Sequence, residues 1–257
     1  MKVIFSKNNA LLALFLLLLT AFPTNLFAET DYNVLKNKAE RFFQYEEWHS
    51  AIAMYQLMLM QRPAETDIYA KAITVAGILN DEKAQMTLIE KSQQNRVPLP
   101  DLFPKIQKES FSVSEPQVYE NFLLLIRDQQ PWLKRGINLQ LLKYYSMRNN
   151  APRIIETADL ILADIPTDAG VLREKAKGYF ISGDNENACK FYIESLKYND
   201  KDFKANLFVG VHYYQEWQSQ GQLLPSAVAD TAAQYLNQAY TLNPTPEVRK
   251  YLDRLGK

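Results

Sequence analysis

Very little in this chain is equipped for covalent chemistry. Its 257 residues include one cysteine, Cys189, two histidines, His49 and His212, and eight glycines. A single thiol can form no intrachain disulfide, so stability has to come from packing. Cys189 follows a helical packing position with no histidine nearby in sequence to activate it, and reads as a structural thiol. His49 follows Glu46, Glu47 and Trp48 where a helix opens onto solvent, and His212 sits beside Tyr213 within a helix; neither belongs to a cluster with metal-ligand spacing. A Gly-rich phosphate loop and a G-x-S-x-G nucleophile elbow are both missing. The acidic stretch GDNEN from Gly183 to Asn187 lacks the twelve-residue pattern of an EF-hand loop. Charge of one sign is also lacking: 29 basic and 29 acidic side chains cancel, so no global field draws the chain toward nucleic acid or anionic lipid. Sustained alternation of polar and apolar residues, the mark of a half-buried strand, is absent as well. Together these absences predict a non-enzymatic, all-α protein without cofactor or metal and without a nucleic-acid partner.

What is present begins with one long apolar run. Lys2 and Lys7 form a basic start, Leu11 to Phe22 (LLALFLLLLTAF) is continuously apolar, and Pro23 breaks it ahead of Leu26-Phe27-Ala28. Residues 1–28 therefore read as a secretory signal peptide cut after Ala28. The run is too short for the roughly 20 residues a membrane span needs, so no stable membrane insertion is expected after cleavage. No cysteine stands at the junction to be acylated. An export signal on a chain without disulfides points to a bacterial envelope protein, periplasmic or secreted.

The remainder, residues 29–257, is organised around Val171 to Tyr198 (VLREKAKGYFISGDNENACKFYIESLKY). Leu172, Ala176, Tyr179 and Phe180 recur at helical spacing, as do Ala188, Phe191, Tyr192, Ser195 and Leu196. Between them Gly183 suits the left-handed residue that ends a helix, and Asp184 suits the cap of the next. Ala176 and Ala188 allow close approach, and Tyr179 and Tyr192 fill the space beside them. Positions equivalent to Ala176 fall at Ala39, Ala72, Gln107, Leu142 and Gly210, with gaps of 33, 35, 35, 34 and 34 residues. This stride, with the alanine, tyrosine, glycine and aromatic positions of the hairpin, resembles the tetratricopeptide repeat (TPR) family.

Six hairpins are expected, starting near residues 32, 65, 100, 135, 169 and 203, with a capping helix over 246–256 whose Val248, Tyr251, Leu252 and Leu255 share one face. The first hairpin (Leu35, Ala39, Phe42, Trp48, Ala51, Tyr55) and the fifth match best. The third matches least: Gln107 and Ser110 stand at its small and aromatic positions, and Pro104 should shorten or re-register its first helix. In the fourth, Asn149-Asn150 replaces the glycine turn. In the sixth, Gln218 to Val228 reads as an inserted loop around Gly221 and Pro225.

The resemblance implies a right-handed superhelical solenoid of antiparallel helix pairs, one continuous array whose first helices line a groove that holds peptide or protein segments. It implies further that Lys143, Arg173, Lys177, Phe180, Lys204, Leu207 and Tyr214 face that groove, a cationic and apolar mixture suited to an acidic or carboxylate-ended peptide; the other reading is that these lysines and arginine simply solvate helix surfaces, with Glu174 and Glu194 nearby. Phe43, Tyr69 and Ile73, with Ala76, would form a more apolar stretch of the same face, either a hydrophobic peptide slot or a surface covered by neighbouring helices. The expected function is an exported scaffold or adaptor with a protein or peptide partner. The alternative is a helical protein that binds a small ligand or glycan and stacks it on Trp48, Trp132 or Trp217. Leu223 and Leu224 offer a further contact in the inserted loop.

Overall fold

The computed structural model describes residues 24–222 and 226–256, with side chains from Asp31 onward. Most of the expected leader, residues 1–23, and the Leu223-Leu224 pair thus lie outside the described residues. Among the described residues the chain is helical, with thirteen α-helices, one 3-10 turn and no strand. In order these are α1 (Thr24–Gln44), α2 (Trp48–Gln61), α3 (Thr66–Ile78), α4 (Glu82–Gln94), α5 (Leu99–Ser112) and α6 (Pro116–Gln129). The 3-10 turn Pro131–Leu133 leads into α7 (Lys134–Met147), then α8 (Ala151–Leu162), α9 (Ala169–Ile181) and α10 (Asn185–Leu196). The chain closes with α11 (Phe203–Ser219), α12 (Ala227–Leu242) and α13 (Pro246–Arg254). The helices gather into two compact units, divided within α6 between Phe122 and Leu123.

The hairpins share one turn. Glu46, Asn80, Ser114, Asn149 and Gly183 all have positive φ, at 58°, 54°, 61°, 51° and 85°. In each case the following amide donates to a carbonyl five residues back: Glu47 to Phe42, Asp81 to Ala76, Glu115 to Ser110, Asn150 to Tyr145 and Asp184 to Tyr179. The positive-φ residue itself donates three back, as Gly183 does to Phe180 at 3.0 Å. Two of the carbonyls left unpaired at the helix end are thereby satisfied. The next residue then opens the second helix, and where it is Asp81, Asn150 or Asp184 its side chain accepts a first-turn amide. Such a short reversal makes each pair antiparallel.

In the first unit the hairpins α1/α2 and α3/α4 are followed by α5 and the start of α6. Its fully enclosed large side chains include Tyr55, Met58, Tyr69, Ile73, Ile89, Leu102, Ile106 and Phe122. The expected shortening of α5 does not occur, since the helix runs its full length from Leu99 despite Pro104 inside it. Leu102, Ile106 and Ser110 bury one continuous face on both sides of Pro104. That burial offsets the single bond the proline cannot make.

In the second unit α7/α8, α9/α10 and α11/α12 each form a hairpin and α13 covers the last. Ala176 and Ala188 are wholly buried, which lets α9 and α10 meet closely. Gly210 does the same for α11 and α12, because a Cβ there would stand 2.7 Å from Leu236 Cγ. The insertion expected from Gln218 is shorter than the sequence suggested. α11 continues to Ser219 before Gly221 turns the chain at φ 83°, and Ser226 caps α12 through the Ala229 amide. Val248, Leu252 and Leu255 seat α13 on Tyr214, Trp217 and Leu236, while Arg249 and Asp253 pair on its outer side at 2.8 Å.

Candidate functional site

The groove candidates divide by how each side chain is placed on its helix. On α7, Leu139, Lys143 and Met147 recur every four residues and therefore share a face. On α9, Gly170, Arg173, Glu174 and Lys177 do the same. The two faces line a concavity of ≈ 350 Å³ together with Leu142, Ser146, Asp168 and Val171. Three of the expected cations, Lys143, Arg173 and Lys177, thus meet around one depression within the second unit.

Its polar side chains are wired to one another. Lys177 Nζ donates to Ser146 Oγ at 2.6 Å and to the Ser146 carbonyl at 3.0 Å, tying α9 to the last turn of α7. Ser146 Oγ in turn donates to Glu174 Oε2 at 2.6 Å. Arg173 donates to Glu174 Oε1 at 3.0 Å and reaches Asp202 Oδ2 at 3.4 Å, at the start of α11. Burial pulls the Arg173 guanidinium down, but the Glu174 and Asp202 carboxylates more than offset this and hold it above its ordinary value. Lys143 is exposed and has no ion-pair partner among the described residues. Met147 at 59 % exposure and Leu139 at 38 % add apolar surface beside these charges. Such an arrangement can hold an anion and an aliphatic side chain together.

The other candidates lie elsewhere. Phe180 is 52 % exposed and meets Phe208 edge to face at 5.4 Å. Lys204 is exposed on α11, outside the concavity, and Leu207 packs against the core beneath α13. Tyr214 does not face a groove: it is 3 % exposed, its ring lies 4.9 Å from that of Tyr251, and its hydroxyl accepts from Gln218 Nε2 at 3.1 Å. In the first unit Phe43 is half-buried against Trp48 at 5.5 Å. Tyr69 and Ile73 are core residues, covered by neighbouring helices and not open as a peptide slot. The shared turn gives the reason. Ile73 stands seven residues before Asn80, as Ala176 stands seven before Gly183, while Tyr69 matches buried Leu172 at eleven. The neighbouring polar contact in this unit is Lys71 Nζ to Glu40 at 2.6 Å.

Of the tryptophans offered as stacking platforms, Trp217 is buried under α13 and Trp48 is half-buried, leaving Trp132 at 76 % exposure. Cys189 is buried, and burial with the Glu216 charge pushes its thiol up to about 11. Among the described residues no group of three or more His, Cys, Asp or Glu side chains could hold a metal ion. No described helix is long and apolar enough to cross a membrane. Reading the sequence for groove residues missed Ser146, Glu174, Leu139 and Met147. A four-residue periodicity through Lys143 marks two of these, whereas the hydrogen bond from Ser146 to Glu174 has no sequence signal.

Fold and site together define an all-α protein of antiparallel hairpins on a stride of about 34 residues, with a mixed cationic and apolar depression in its second unit. No protein-family model matches the chain, and no curated protein does. Solved structures similar to it include the C-terminal part of a TPR repeat-containing protein from Cytophaga hutchinsonii, at 15 % identity and TM-score 0.47, with 84 % of this chain and 81 % of that one covered. A tetratricopeptide repeat protein from Parabacteroides merdae aligns at 13 % identity and TM-score 0.42, covering 88 % and 84 %. PilF from Pseudomonas aeruginosa aligns at 13 % identity and TM-score 0.46, covering 88 % and 98 %.

Proposed function

We propose that this chain is a non-catalytic adaptor that binds an acidic segment of another protein on the α7–α9 face. One observation carries the reading: Lys143, Arg173 and Lys177 line the same depression as Leu139, Leu142 and Met147. Cationic groups beside aliphatic side chains suit an extended peptide that alternates carboxylates with apolar residues, since charge-assisted bonds orient it and apolar contacts hold it. The Lys2/Lys7 start and the apolar run to Phe22 support export of this adaptor to the bacterial envelope. Fractionation of cells with N-terminal sequencing of the product tests that part, and a cytoplasmic product that retains Met1 rejects it.

Binding is tested with a fluorescein-labelled peptide of alternating glutamate and leucine. The double variant R173E/K177E should weaken it at least about tenfold, the loss expected for one or more charge-assisted contacts. Wild-type affinity should also fall as salt rises. Equal affinity of both proteins at low salt rejects this face as the binding site.

A further inference from the structure

The α7–α9 depression already holds an anion, and the anion belongs to the chain. Ser146 Oγ donates to one oxygen of Glu174 at 2.6 Å and Arg173 to the other at 3.0 Å. Lys177 stands behind the same serine hydroxyl at 2.6 Å. Two donors and a supporting ammonium therefore converge on a single half-buried carboxylate.

The matching positions in the first unit show what is unusual here. Glu40 lies six residues before its turn and pairs with Lys71, nine residues before the next turn, at 2.6 Å. In the second unit those two places are held by Lys143 and Glu174, with the signs exchanged. Glu174 nevertheless engages Ser146 and Arg173, and Lys143 keeps its charge without an ion-pair partner among the described residues.

We propose that Glu174 is an internal ligand of this anion site, displaced when a partner brings carboxylates of its own, and that the partner segment therefore carries at least two closely spaced anionic groups. The inference rests on the α7–α9 face being the binding site. Replacing one carboxylate by another changes little, because each makes equivalent bonds to Arg173 and Ser146. A second anion that reaches Lys143 adds an attraction Glu174 does not make, and this drives the exchange. A segment with a single acid can pair with Lys143 or take the place of Glu174, but not both, and near Lys143 it meets repulsion from Glu174 still seated on Arg173 and Ser146. Glu174 is on this account a specificity-determining residue that rejects weakly acidic segments.

Two measurements separate this inference from the reading beneath it. The first uses inorganic phosphate alone, with chloride at matched ionic strength as the control. E174Q, which keeps the side-chain shape and removes the charge, should gain a phosphate-dependent rise in Tm that the wild type lacks, and R173Q/K177Q added to E174Q should abolish it. S146A, which removes the hydroxyl holding Glu174, should gain a smaller rise and stands in if E174Q folds poorly. Equal phosphate responses in wild type, E174Q and S146A overturn the internal-ligand proposal. The second compares labelled peptides with one glutamate and with two adjacent glutamates. The wild type should prefer the doubly acidic peptide, and E174Q should lose most of that preference by binding the single-glutamate peptide about tenfold more tightly. An unchanged preference in E174Q overturns the specificity role. If neither peptide binds either protein while the phosphate effect persists, the adaptor reading fails and the internal ligand stands.

Discussion

At the scale of single residues, the clearest case is a side chain that chemistry passes by. Cys189 is enclosed among the α10, α11 and α12 packing residues, facing Tyr213 and Tyr235 with the Glu216 charge nearby. Burial raises its pKa from an ordinary 9.0 to about 11, so the folded state holds the proton more tightly than the unfolded chain does. Below the ordinary thiol value both states are protonated and the full stabilisation is present; it is lost as pH rises through the folded value near 11. Chemical denaturation at pH steps across that window should show stability falling, with a shallower fall in Cys189→Ala. At neutral pH a thiol-specific chromogenic disulfide should react with the urea-unfolded protein far faster than with the native one. Rapid native labelling contradicts the enclosure described above.

At the scale of elements, the hairpin turn is the repeated device. Five left-handed residues carry the same pair of backbone bonds, although only one of them is glycine. The bonding pattern therefore tolerates Glu46, Asn80, Ser114 and Asn149 at a strain each pays in its own φ. Gly183→Ala places a Cβ at φ 85° and should cost about 1 kcal/mol, whereas Glu46→Gly relieves strain at φ 58° and should stabilise by a smaller amount or cancel against chain entropy. Urea unfolding of the two variants checks that Gly183→Ala destabilises and Glu46→Gly does not. A stabilised Gly183→Ala contradicts the turn geometry.

At the scale of the whole molecule, what matters is how the array ends. α13 presents Arg249, Lys250, Asp253 and Arg254 outward, and Val248, Leu252 and Leu255 inward onto Tyr214 and Trp217. Without this cover the α11/α12 hairpin would show its apolar face to water. Leu252→Ala should cost about 3 kcal/mol through lost burial and a residual cavity, and should raise hydrogen exchange in α11 to α13 before α7 to α9. Exchange mass spectrometry reads this directly. A variant with unchanged stability and exchange would show that α13 is not what seals the last hairpin.

The sequence by itself determined the helical class, the stride, the reversals at Asn149 and Gly183, and the terminal cap, because each rests on local rules: apolar spacing, left-handed turn residues and capping side chains. Three cationic members of the candidate site, Lys143, Arg173 and Lys177, were legible only through the resemblance to the TPR family, which places first-helix positions toward a groove. Only the tertiary structure decided that Tyr69, Ile73, Tyr214 and Trp217 are core, because burial depends on which neighbouring helix arrives, and that α5 keeps its length around Pro104. It also decided that Glu174 turns to Ser146 and Arg173 rather than to Lys143. A choice among partners within reach depends on distances between helices, and no spacing along the chain encodes those.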